Sequence, residues 1–144
     1  MVTNFSKRRV RSGIPGFDDL IGGGFPEEST VLITGSTGTG KTTFVAQYIY
    51  KGAEEYGEPG VLVTLEERAK DIRREMAQFG WDFKKHEKEG LIAIVDGVSA
   101  ISGIPSEERF VLEDTLNVDS FLRYIYRVVK AINAKRIAID SVPS

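Results

Sequence analysis

Residues Gly35 to Thr42 read GSTGTGKT, which satisfies the spacing G-x-x-x-x-G-K-[ST] with Gly35, Gly40, Lys41 and Thr42. Residue types in this order suit the holding of a polyphosphate. Glycines let the backbone N–H groups of Ser36, Thr37, Gly38, Thr39 and Gly40 turn inward as a concave nest of dipoles, and such a nest binds anions. A helix starting near Lys41 adds its positive end at the same point, beside Thr42 and Thr43. Lys41 supplies a compact cation for the β- and γ-phosphates, and the Thr42 hydroxyl is a ligand for Mg²⁺. A dinucleotide fingerprint would need G-x-G-x-x-G. Here Gly38-x-Gly40 is followed by Thr43 at the third glycine position, and Lys41 would be left unexplained.

A phosphate nest only binds; hydrolysis needs a metal held in register and an activated water in line with the leaving group. Two acidic positions can supply these. Asp140 ends the run RIAID, so a strand there presents its carboxylate at the C-terminal edge of a sheet, where ligands of open α/β sheets bind. That placement is the Walker B pattern, in which the carboxylate holds Mg²⁺ directly or through water. Glu66 and Glu67 end the run GVLVTLEE at the same edge. Glu66 is the stronger candidate to orient or deprotonate water. Glu67 reads as an exposed charge favoured by the N-terminal dipole of the next helix. His86, within KKHEKEG, reads as solvated.

The elements that must position these residues follow from periodicity. Four apolar runs, Thr30–Thr34, Gly60–Leu65, Leu91–Val95 and Arg136–Asp140, show no polar alternation, as expected of parallel strands buried on both faces. Between them lie helical stripes: Val45, Tyr48, Ile49 and Gly52; Ile72, Met76 and Phe79, stopped by Gly80; and Leu122, Ile125, Val129 and Ile132, capped by Asp119. Phe79, Trp81 and Tyr48 read as core. Alternating strands and helices predict an α/β fold. Asp96–Asn117 has no sustained period and reads as an excursion or a contact surface.

Composition sets outer bounds. With 144 residues, 41% hydrophobic and 28% charged, the chain has material for one core. A net charge of −2 gives no global reason to expect nucleic acid or an anionic membrane. The chain has no cysteine, so disulfides and thiolate metal sites are excluded. There is no apolar stretch of membrane-spanning length and no secretory h-region, so the expected location is cytoplasmic. Residues 1–10, with Lys7, Arg8 and Arg9, read as a basic N-terminal tail.

SGIPGFDDLIGGGFPEES, GSTGTGKTTF, GEPGVLVTLEER, FGWDF and RIAIDSV together resemble the KaiC-like branch of the RecA superfamily of ATPases. The resemblance runs from about Arg11 to Val142 and is weakest across Asp96–Asn117. It implies a P-loop NTPase with a RecA-like, mostly parallel sheet flanked by helices, and residues 11–144 as the N-terminal part of that ATPase domain. It further implies ATP or ADP bound with Mg²⁺ between subunits of a homo-oligomeric ring or filament, and Glu66 activating water. Lys41 and Thr42 would contact phosphate and metal, and Asp140 would take the Walker B role. Nucleic acid is a possible further partner. Pro143 departs from the pattern, as relatives usually carry a polar residue there.

The resemblance also implies one later strand between the phosphate-loop strand and the Asp140 strand. The sequence stops four residues past Asp140, hence the expectation that it is part of a longer protein. In the competing kinase–GTPase arrangement, Thr30–Thr34 would pair directly with Arg136–Asp140. Three functions stay open at this stage: an ATP hydrolase, a nucleotide-gated assembly or signalling module with little turnover, and a small-molecule kinase with its acceptor pocket in Asp96–Asn117.

Overall fold

A computed structural model of the chain describes residues 8–141. Three of the four apolar runs form the expected strands: β3 Gly60–Thr64, β4 Ile92–Asp96 and β6 Arg136–Asp140. With the short β5, Phe110–Val111, they make one sheet in the order β5-β4-β3-β6, parallel throughout. Every residue of β3 and β4 is buried, as helices cover both faces.

On one face lie α2 (Lys41–Tyr56), α3 (Ala69–Ala77) and α4 (Phe83–Lys88), meeting the sheet through Ile49, Ile72, Met76, Phe83, Leu62 and Ile94. On the other, α6 (Val118–Ile132) packs Ile125 and Val128 against Val61, Val63 and Val95. Burying each such side chain contributes about 1.5–3 kcal/mol. This two-faced packing fixes the strand tips from which the candidate site is built.

The fourth run departs from expectation. Thr30–Thr34 is not a strand; Leu32 is 80% exposed and Val31 47%. Strand propensity is realised only where a neighbour completes the hydrogen-bond ladder. β6 pairs with β3 alone among the described residues, and this run does not join its open edge. The direct pairing that the kinase–GTPase arrangement requires is therefore not made.

Several side chains also differ from their sequence reading. Phe79 falls beyond the end of α3 and is 55% exposed. Asn117, not Asp119, caps α6, accepting from Ser120 N–H at 3.2 Å; Leu122 is exposed and Phe121 takes the inward place. His86 is buried on α4, edge-on to Tyr50 at 5.1 Å, because it follows Phe83 by one helical turn on the same face. Asp96–Asn117 is not structureless: it holds α5 (Val98–Ser102), whose Val98 and Ser99 N–H groups donate to the Asp96 carboxylate, and β5.

Near the N-terminus, β1 (Arg9–Val10) and β2 (Phe25–Pro26) pair antiparallel around α1 (Phe17–Leu20), so Arg9 lies in a strand; Lys7 and Pro143 are outside the described residues. Phe17 packs edge-on against Phe44 of α2, and Phe25 against Tyr48. Arg136 ties this layer to the sheet. Its guanidinium donates to the Tyr48 carbonyl at 3.0 Å, the Arg11 carbonyl at 2.5 Å and Glu58 at 3.1 Å. Gly52 makes room for it: a Cβ there would lie 2.5 Å from Arg136 Cδ.

Candidate active site

The glycine-rich loop meets α2 at Gly40, whose φ of 90° is left-handed; Gly38 has φ 82°. A side chain would be strained at either position, which is why the local sequence is Gly-Thr-Gly. Ser36 to Gly40 are all exposed, and the Thr39 hydroxyl braces the loop by donating to the Ser36 carbonyl at 2.7 Å. Lys41 Nζ donates to the Gly35 carbonyl at 2.6 Å, closing the loop on itself. That acceptor is neutral, and a phosphate oxygen makes a stronger, charge-assisted bond to the same ammonium.

Thr42, in the first turn of α2, meets Asp140, the last residue of β6. Thr42 Oγ1 donates to Asp140 Oδ2 at 2.7 Å, although the two lie 98 positions apart. Asp140 is buried, and among the described residues it has no cationic partner. A buried carboxylate without a counter-charge is costly. A hydroxyl and a carboxylate oxygen side by side are hard donors, the type Mg²⁺ accepts. The residues present therefore fit the metal that the sequence implies.

The register of β3 and β6 delivers the second acid. Thr64 lies opposite Asp140, and Leu65 N–H donates to the Asp140 carbonyl at 2.7 Å. Glu66 follows at the same strand tip, exposed, its Oε1 accepting from the Ser141 hydroxyl at 2.8 Å. The sequence reading passed over Ser141; its signal was its position immediately after the strand-terminal Asp140.

Glu67 corrects its sequence reading. It precedes α3, whose N-cap is Arg68, and its Oε2 is buried with no hydrogen-bond partner. Burial first, then the negative charges of Glu75 and Asp140, push its carboxyl above the usual glutamate range. A raised pKa does not by itself disqualify a base; what favours Glu66 is its place at the strand tip, exposed and in contact with Ser141.

The glycine-rich loop, the Thr42–Asp140 contact and the strand-tip glutamates make a candidate nucleotide-binding site on a parallel α/β sheet. The family described as the KaiC ATPase matches residues 10–144, and the chain belongs to it. Its sheet is similar to that of a KaiC-like protein from Pyrococcus horikoshii. The two are 74% identical with a TM-score of 0.80, over 95% of this chain and 57% of that one. The fold is RecA-like. A UPF0273 protein of Pyrococcus furiosus is 44% identical over 94% of this chain and 55% of its own. A UPF0273 protein of Methanopyrus kandleri is 47% identical over 93% and 53%. The chain thus spans about half the length of the curated relatives it matches. No helix among the described residues is long and apolar enough to cross a membrane.

Proposed function

We propose that this chain binds ATP with Mg²⁺ and forms the hydrolytic site of a cytoplasmic ATPase whose turnover is coupled to assembly of like subunits. The observation that carries this reading is the 2.7 Å contact between Thr42 and Asp140, which joins the end of the phosphate loop to the strand-terminal acid. Backbone N–H groups of Ser36 to Gly40 would receive the phosphates, with Lys41 leaving the Gly35 carbonyl for a phosphate oxygen. Thr42 and Asp140 would hold the metal, which when bound neutralises charge on the phosphate oxygens. Glu66 would accept a proton from the attacking water, with Ser141 fixing the carboxylate's orientation. Family membership supports a nucleotide-binding, ATPase-type role.

Isothermal titration of the full-length protein with ATP, with and without Mg²⁺, tests the binding half of this reading. We expect Mg²⁺ to tighten binding in the wild type and to have little effect in Asp140→Asn. Equal dependence on Mg²⁺ in both would overturn the assignment of Asp140.

A further inference from the structure

We propose that the half-open edge of β4 is a docking site for an acidic peptide in extended conformation, which would add a strand to the sheet. β5 covers only part of this edge: Phe110 and Val111 pair with Val95 and Asp96, and on this side, opposite β3, no described residue is a register partner of Ile92–Ile94. Gly60 N–H donates to the Leu91 carbonyl at 2.9 Å, so in a parallel ladder Leu91, Ala93 and Val95 turn their backbone groups toward β3. Those of Ile92 and Ile94 turn the other way; the Val95–Phe110 bridge engages the Ile94 carbonyl, which leaves the Ile94 N–H and both backbone groups of Ile92 facing outward. There a cleft of about 300 Å³ opens, bounded by Lys84, Glu87 and Lys88 of α4 and by residues 107–110. The side chains of Ile92 and Ile94 are buried in the core, so what this edge offers a partner is backbone. Extended peptides are recognised at such edges by main-chain hydrogen bonds.

Charge selects the occupant. Two of the cleft's carboxylates are already engaged: Glu87 and Glu108 both accept from Arg73, at 2.7 and 2.5 Å. Lys84, Lys88 and Arg109 are exposed and have no ion-pair partner among the described residues, while Glu107 is the one acid of the rim left unpaired. The free rim is therefore cationic, and an acidic strand fits it. Lysines beside an edge also guard against self-pairing. A purely guarding role predicts no ordered complex, which separates the two readings. The site lies apart from the phosphate loop and does not depend on ATP turnover.

The test uses full-length protein and two acetylated hexapeptides, one alternating glutamate with valine and one alternating lysine with valine. Binding is followed by fluorescence anisotropy at low salt, and hydrogen exchange is read at the Ile92 and Ile94 amides. We expect the acidic peptide to bind at least about tenfold more tightly and to slow exchange at both amides. Reversing the rim charges in the double variant Lys84→Glu, Lys88→Glu should abolish that preference while leaving the circular dichroism unchanged. N-methylation of alternate peptide bonds, which removes the donors of a ladder, should abolish binding. Equal affinity for both peptides, no binding, or binding without slowed exchange at Ile92 and Ile94 would each overturn the proposal.

Discussion

At the residue scale, few side chains carry the proposed chemistry, and their surroundings treat them differently. Thr42 and Asp140 touch; Glu66 is exposed beside Ser141; Glu67, its immediate neighbour, has one buried oxygen without a hydrogen-bond partner. Replacing Asp140 by Ala removes the carboxylate proposed to hold the metal. Such a loss is worth several kcal/mol of transition-state stabilisation, so phosphate release should fall by more than about a hundredfold in a single-turnover assay. Glu67 yields a prediction about stability. Its carboxyl is pushed up in the folded protein, so the stability it contributes is full below the ordinary glutamate pKa and is lost as pH rises through the raised value. In Glu67→Gln that loss is absent. Thermal unfolding followed from about pH 4 to 7 should show the variant gaining on wild type as pH rises. A variant that loses ground to wild type as pH rises would contradict the raised Glu67 carboxyl.

At the scale of elements, the strands around the site are placed by register, and much of that was readable from sequence. Gly60–Thr64 and Arg136–Asp140 announce parallel strands by uninterrupted apolar residues, and their acids at the tips follow directly, although only the first is buried throughout and Ile137 of the second is exposed. Thr30–Thr34 carries the same signal and is not a strand, since a ladder partner is not encoded in the run itself. His86 and Glu67 were misread for a related reason. Charged neighbours in sequence suggest solvent, but helix phase and chain path decide burial. Asp119 looked like a cap, yet Asn117 sits at the residue where the chain turns extended and so takes the role. Asn117→Ala should therefore destabilise by about 1 kcal/mol in chemical denaturation, with Asp119→Ala close to neutral. Gly52→Ala should cost more. The added Cβ would meet an Arg136 side chain that is wholly buried and held by Tyr48, Arg11 and Glu58, so the arginine has no easy way to yield. Overpacking of this kind costs about 1–3 kcal/mol, read as a shift of the denaturation midpoint.

At the scale of the whole molecule, the sheet brings the loop, the Thr42–Asp140 pair proposed to hold the metal and the candidate Glu66 to one edge. Thr42 reaches Asp140 from the helix after the loop, and Glu66 is carried to the same tip by the strand beside it. Had Asp140 and Glu66 come to the opposite end of the sheet, the nest would bind phosphate without the means to cleave it. Steady-state phosphate release by the full-length protein with ATP and Mg²⁺, compared between wild type and Glu66→Gln, tests this arrangement most directly. Turnover should be abolished in the variant while ATP affinity stays within a few-fold of wild type. Undiminished phosphate release from Glu66→Gln would contradict it.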